Sequence, residues 1–264
     1  MNQYFATVAR GLETLAAQEL EQLGAEAVQP GFCGVAFAGD RTLLYRVNLW
    51  ARLPFRILMK LHEFPCQTAE DLQVKRAIVD QQQDRLGERS DVELQSPDVQ
   101  INIHIERDHC TVSLDSSGKS LHRRGYRPAV GAAPLKESLA AALIQLSGWQ
   151  PEQMFYDPLC GSGTLPLEAS LKALNVAPGL FREQFGFETW LDADLPLLET
   201  LIQAAEASQR EDLAAPIWGS DRDPAVIDQA ITNATNCGVL NHIYFAAIDL
   251  EDIAAPADSG VLFC

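Results

Sequence analysis

The stretch Asp157-Pro-Leu-Cys-Gly-Ser-Gly-Thr164 sets an acid directly ahead of a glycine-rich turn. Gly161 and Gly163 permit backbone conformations and a close approach that a Cβ would block. N–H groups exposed where such a turn opens a helix favour an acceptor such as a carboxylate or phosphate. No Lys follows the glycines, so this is not a phosphate-cradling Walker loop, and the full GxGxxG dinucleotide fingerprint is not met. Two further acids complete a pattern. Asp221, in Gly219-Ser-Asp-Arg-Asp-Pro224, can accept both hydroxyls of a ribose, and Asp249, in Ala247-Ile-Asp-Leu-Glu-Asp252, can accept from an exocyclic amine. Acids at the ends of adjacent strands, opposite a Gly-rich turn, make a nucleoside pocket at a sheet's carboxyl edge. The competing reading makes Asp221 and Asp249 only caps for the next helix or turn.

For these residues to meet, the second half of the chain must alternate strands and helices. Pro134 to Leu146 reads as a helix, with Pro at its start and Gly148 near its end. A strand over Gln153–Tyr156 feeds Asp157, and a helix follows from Thr164 to Leu174. After an insertion containing Trp190 and a helical stretch Leu195–Ser208, Ile217–Asp221 is the next strand. Asp223-Pro224 opens a helix through Asn236 that Gly238 ends, Tyr244–Ala246 is a third strand, and Gly260–Cys264 begins a fourth. This order predicts a parallel, doubly wound sheet. Trp190 reads as packing for the insertion, and Cys160 as a small residue in the turn, not a nucleophile.

The first half reads differently. A strand at Tyr4–Ala9, a helix carrying Leu12, Leu15, Ala16, Leu20 and Leu23, strands near Ala27–Pro30 and Val35–Phe37, a helix from Asp40 through Trp50 and a strand over Phe55–Phe64 make a β-α-β-β-α-β order. That is the order of a ferredoxin-like unit. A helix is expected from Thr68 to about Gln83, then strands at Val92–Gln95, Val99–Ile105 and Cys110–Leu114. His104 lies on the polar side of the third of these segments and should face solvent.

Composition narrows the class. With 264 residues and 47% hydrophobic content the chain can bury a real core. No apolar run approaches the ~18–20 residues that cross a bilayer, and the opening MNQYFATVARGLETL has no signal-peptide pattern. The six cysteines are scattered, without CxxC pairs or Cys/His clusters, which reads as free thiols in a reducing cytoplasm and no metal site. The net charge of −16 alone argues against a nucleic-acid partner. Its distribution does not: residues 1–127 hold 15 Lys and Arg against 17 acids, whereas residues 128–264 hold 5 against 19. The basic residues peak in Lys119-Ser-Leu-His-Arg-Arg-Gly-Tyr-Arg127, which can neutralise phosphates, with Tyr126 available to stack on a base. A solvated basic linker is the alternative.

Taken together, DPLCGSGT, GSDRDP and AIDLED resemble the S-adenosylmethionine pocket of class I methyltransferases. With YFATVARGLETLAAQEL, SLHRRGYRPAVGAAPLKESLAAAL and FGFETWLD, the whole chain resembles the THUMP-containing RNA guanine-N2 methyltransferases. The nearest likeness is to the N-terminal half of the bifunctional bacterial 23S rRNA enzymes. The resemblance implies an α/β chain: a ferredoxin-like domain over 1–64, a THUMP core over 65–117, a basic linker over 118–133, and over 134–264 a Rossmann-like methyltransferase domain that is incomplete at its C-terminal end. It implies that Asp157, Leu159, Cys160, Gly161, Ser162, Gly163 and Thr164 face the methionine end of S-adenosylmethionine. Asp221 would hold the ribose, with Arg222 beside the adenine, Asp249 would bind the adenine amine, and Leu250 would also belong to the cofactor site. Leu135 and Lys136 would lie in the helix that closes the cofactor site. Lys119, Arg123, Arg124 and Arg127 would extend an RNA-docking surface, 23S rRNA being the expected partner, and a second methyltransferase domain would share the full-length chain.

The family's Asn-Pro-Pro-aromatic motif would orient the guanine amine and stack on a flipped base. It is expected just after Cys264, so the 264 residues alone are expected to be inactive, with an open sheet edge at Val261–Phe263. A transfer-RNA guanine-N2 methyltransferase, a non-catalytic RNA-binding module and a small-molecule or protein methyltransferase are the competing functions.

Overall fold

A computed structural model describes residues 1–67, 83–84, 87, 93, 97–127, 135–254 and 259–263. The helix expected over 68–83 falls almost entirely outside the described residues, as do most of the strand expected over 92–95, the helix start expected at Pro134, and Cys264.

The N-terminal half is one antiparallel sheet. Its elements are β1 (Asn2–Thr7), α1 (Glu13–Gln22), β2 (Glu26–Gly31), β3 (Gly34–Gly39), α2 (Arg41–Trp50), β4 (Arg56–Pro65), β5 (Ile101–Glu106) and β6 (His109–Asp115). The strand order is β2-β3-β1-β4-β6-β5. The first four strands stand in ferredoxin-like order, and the sheet continues through β4, whose ten residues pair with β1 at one end and with β6 along most of their length. Leu58 and Met59 pair with β1 on one edge and with β6 on the other, and the residues of β4 beyond Met59 continue with β6. Asp40 caps α2 as its position suggests, accepting from the Leu43 N–H at 2.8 Å. His104 is exposed on the edge strand β5.

The second half is a parallel sheet in the order β10-β7-β8-β9, formed by β7 (Phe155–Asp157), β8 (Ile217–Asp221), β9 (Ile243–Ala247) and β10 (Val261–Leu262). The helix α3 (Glu137–Leu146) precedes β7, and α4 (Thr164–Ala173), α5 (Leu195–Ala207) and α6 (Pro224–Asn236) lie between the strands in the chain. Phe155, Ile217 and Ile243 pair across the sheet and share a core with Ile144 of α3, Leu167 and Leu171 of α4 and Ala234 of α6. By strand alternation Tyr156, Trp218 and Tyr244 lie on the opposite face, where Trp218 and Tyr244 stack with centroids 4.8 Å apart.

The two sheets are joined by a shared core. Leu20, Phe37, Leu44 and Val47 of the first half cluster with Leu121 of the linker, Ala141 of α3, and Phe185, Phe187 and Leu198 of the insertion. The Phe187 ring stacks on Tyr45 of α2 at 4.1 Å, and Trp190 packs against the same cluster, the packing role its position implied. Arg182 of the insertion donates to the carbonyls of Ser117, Lys119, Ser120 and Arg123, which holds residues 117–123 to the insertion.

Candidate functional site

Parallel pairing places Asp157 opposite Gly219, and Asp221 opposite Ala247, so the carboxyl ends of β7, β8 and β9 lie side by side. The glycine turn leaves β7 and enters α4 there. Gly161 has φ +53° and Gly163 φ +85°, both in the left-handed region. A Cβ built on Gly161 would meet nothing within 4 Å, whereas one on Gly163 would meet Ala230 of α6 at 3.1 Å and the Phe245 ring at 3.3 Å. The first glycine therefore keeps the turn open, and the second lets α4 pack closely on α6 and β9. Gly163 is the N-cap of α4 and no side chain caps it, leaving the helix start available to an acceptor group.

The acids are oriented by the backbone around them. Asp221 accepts the Gly161 N–H at 3.1 Å through Oδ2 and the Asp223 N–H at 3.1 Å through Oδ1. Each carboxylate oxygen retains a further lone pair, so the pair of ribose hydroxyls remains within its capacity. Asp157 is buried and accepts the Leu159 N–H at 3.1 Å. Burial pushes its carboxyl up to about 6; the Leu159 N–H opposes the rise and Asp221 adds to it. The Asp249 carboxylate is exposed, and its Oδ1 accepts the Glu251 N–H at 3.2 Å as the cap of a short 3-10 turn. Asp249 thus caps a turn through one carboxylate oxygen, while α6 is capped by Asp223 and not by Asp221. Arg222 and Leu250 are exposed beside these acids in the chain. The Cys160 thiol is driven well above its ordinary pKa by burial, with Asp157 and Asp221 adding to it, so it stays protonated.

Two partners of this turn, Asn233 and Ser220, were not among the expected site residues. Asn233 of α6 donates to the Ser162 carbonyl at 3.1 Å. The signal was present: a polar residue on the inner stripe of an amphipathic helix, beside Ile227, Ala230 and Ala234. Ser220 shares a 2.8 Å hydrogen bond with the Tyr156 hydroxyl, and its carbonyl accepts the Cys160 N–H at 2.8 Å.

Several expectations for the linker are corrected. Arg124 is 2% exposed: it donates to Glu168 of α4 at 3.4 Å, to the Leu121 carbonyl at 2.9 Å and to the Arg52 carbonyl at 2.6 Å. Tyr126 is equally buried and donates its hydroxyl to Glu168 at 3.0 Å, so it offers no face to a base. Arg127 turns inward to the glycine turn, its Nη2 donating to Ser162 Oγ at 2.9 Å. The physical reason is common to all three: partners in α3, α4 and the glycine turn supply acceptors inside the protein, which a reading of linear charge cannot see. Lys119 and Arg123 do lie on the surface, Lys119 paired with Glu183 at 3.2 Å. Leu135 and Lys136 precede α3 instead of lying within it; Lys136 is its N-cap in extended backbone, with Nζ 5.3 Å from the centroid of Phe55.

A carboxylate pair at adjacent strand ends, an open glycine turn and an uncapped helix start suit a nucleoside bearing a polar, acceptor-containing tail. Comparison with known proteins decides the family. Residues 124–264 match the family described as RMKL-like, methyltransferase domain. The chain belongs to the RMKL-like methyltransferase family. In this methyltransferase, residues 3–58 match the RlmL ferredoxin-like domain and residues 53–115 the THUMP domain, the two overlapping where β4 begins. The chain is 50% identical over 299 aligned residues to "Putative RNA methyltransferase slr0064" of Synechocystis, covering 99% of this chain and 78% of that protein. The crystal structure of SMU.472 complexed with SAH superposes with a TM-score of 0.89 at 31% identity, over 99% of this chain and 79% of the other. A Listeria monocytogenes structure, named as a predicted N6-adenine-specific DNA methylase, gives 0.88 at 32% identity over 99% and 78%.

Proposed function

We propose that this methyltransferase transfers the methyl group of S-adenosylmethionine to the exocyclic N2 of a guanine in 23S rRNA. The observation that carries the reading is the alignment of Asp157, the Gly161–Gly163 turn, Asp221 and Asp249 at three adjacent strand ends, in a chain whose other half matches a THUMP domain. Asp221 accepts from the ribose hydroxyls and Asp249 from the adenine amine, with Arg222 beside the adenine and Leu250 next to Asp249 in the chain. Asp157 and Leu159–Thr164 hold the methionine end, and Leu135 and Lys136 stand at the mouth. When bound, the cofactor supplies an electrophilic methyl carbon on a sulfonium. The protein's own residues keep that end of the ligand fixed and put the ionised Asp157 near its amino group.

The division of labour follows the expected domains: 1–64 and 65–117 dock RNA, 118–133 leads to the site, and 134–264 holds the cofactor. A guanine amine is a poor nucleophile, and the acceptors that would orient it belong to an Asn-Pro-Pro-aromatic motif that residues 1–264 do not contain. These residues tested alone should bind cofactor without useful turnover.

The test has two steps. Calorimetry of the 264-residue chain with S-adenosylhomocysteine should show binding, and its absence would refute the cofactor site. The complete enzyme should then be given unmodified 23S rRNA, transfer RNA and DNA, followed by nucleoside mass spectrometry. N2-methylguanosine in 23S rRNA supports the reading; modification of transfer RNA guanine, or of adenine N6 as the Listeria protein's name describes, replaces it.

A further inference from the structure

We propose that Arg127 is a positioning residue for the cofactor turn, holding Ser162 from the linker side as Asn233 holds it from α6. This rests on the cofactor reading above. The guanidinium spans three segments. Its Nη2 donates to Ser162 Oγ at 2.9 Å, and its Nη1 donates to the Leu135 carbonyl at 3.1 Å and to Glu137 Oε1 at 3.3 Å. The side chain is only 5% exposed, and its buried Nε has no hydrogen-bond partner among the described residues. An arginine fixed that deeply, with one donor unsatisfied, is not a flexible surface cation waiting for a phosphate.

Ser162 is where such a strut matters. It lies between two glycines in left-handed backbone. Asn233 fixes its carbonyl and Arg127 its hydroxyl, so the turn is held from both sides. A site whose backbone is set before the ligand arrives does not spend binding energy on ordering it. The planar fork of arginine suits the task, since one group bridges a carbonyl, a carboxylate and a hydroxyl at once. Arg127 also ends the basic stretch 119–127 of the linker, so the linker itself reaches the glycine turn.

The experiment uses the whole chain and S-adenosylhomocysteine as the probe, with Arg127→Met, Arg127→Lys, Ser162→Ala and the double variant Arg127→Met/Ser162→Ala. Arg127→Met should weaken affinity about tenfold, the size of one hydrogen bond from a charged group. Ser162→Ala should weaken it less, and the double variant no further than Arg127→Met alone. Arg127→Lys, which can keep the contact to Ser162, should recover part of the loss. RNA affinity and its salt dependence should be unchanged in all four. Unaltered cofactor affinity in Arg127→Met, full additivity in the double variant, or loss of RNA affinity instead would overturn the proposal. Should Arg127→Met fail to fold by thermal melting, Arg127→Lys, Ser162→Ala and their double variant carry the same test: additive losses, or none, overturn the assignment. If the unsubstituted chain does not bind the probe, the cofactor reading itself fails and takes this one with it.

Discussion

With its carboxyl pushed up to about 6 by burial, Asp157 is neutral in mildly acidic solution and ionised above neutrality. A ligand ammonium gains from the ionised form alone, so affinity should rise with pH and not fall. Titrating S-adenosylhomocysteine between about pH 5 and about pH 7.5 should give a curve with its midpoint near 6, and Asp157→Asn should flatten it. A flat curve in the unsubstituted protein would remove Asp157 from the ligand's amino group. Asp221 makes a different prediction, because its carboxylate both anchors the Gly161 N–H and offers lone pairs outward. Asp221→Ala should cost more than about tenfold in affinity, since a charged acceptor and the order of the turn are lost together. Asp221→Asn, keeping one acceptor oxygen, should cost less. Equal affinity across all three proteins would leave Asp221 as a structural residue of the turn.

Among the elements, α4 and its preceding turn depend on two glycines for different reasons. Gly163→Ala forces a side chain into left-handed backbone and against Ala230 at 3.1 Å, so it should lower stability by about 1–3 kcal/mol in a thermal melt. Gly161→Ala meets no neighbour within 4 Å; it should cost less stability, on the order of 1 kcal/mol from its backbone, yet reduce cofactor affinity more. If both variants lost stability equally and bound equally, the open space at Gly161 would not be the ligand's. These elements were largely legible in the sequence because their signals are local. The cap Asp223, Pro224 and the terminating Gly238 bracket α6, and Ile217–Asp221 is a strand as its short apolar run implied. The fate of the linker was not legible. Arg124 and Tyr126 look like surface residues until Glu168, more than forty positions away, is packed beneath them. Linear charge reports where cations are in the chain and says nothing of which acceptor folding brings to them. Lys136, too, is outside its expected helix because it is the extended N-cap and the helix starts at Glu137, three residues after the expected Pro134.

On the scale of the whole molecule, Glu168 is the buried acid between two cations, Arg124 of the linker and Arg52 from the N-terminal half. Glu19 of α1 accepts the Arg52 and Leu53 N–H groups, so the network begins in the ferredoxin-like unit and ends in α4. Removing one member of a buried ion set leaves an uncompensated charge, which typically costs about 3–5 kcal/mol. Glu168→Gln should therefore lower the melting temperature of both halves as one transition, since they share a core as well as this network. Two separate transitions in calorimetry would mean that the halves fold independently. The same burial decides which basic residues are left to meet RNA. Arg124 and Arg127 are committed inside, so the surface assigned to phosphate reduces, within this segment, to Lys119 and Arg123, set against a chain of net charge −16. An acidic protein repels a polyanion at long range, and a few exposed cations must supply the local attraction. Each phosphate contact contributes about 0.7–0.9 to the slope of log affinity against log salt. Lys119→Ser/Arg123→Ser should thus flatten that slope by about 1.5 with the melting temperature unchanged. Lys119 gives up only an exposed pair with Glu183, whose loss costs the fold little. An unchanged slope would place the RNA path elsewhere on the first half, and the linker would then serve only to join the two sheets.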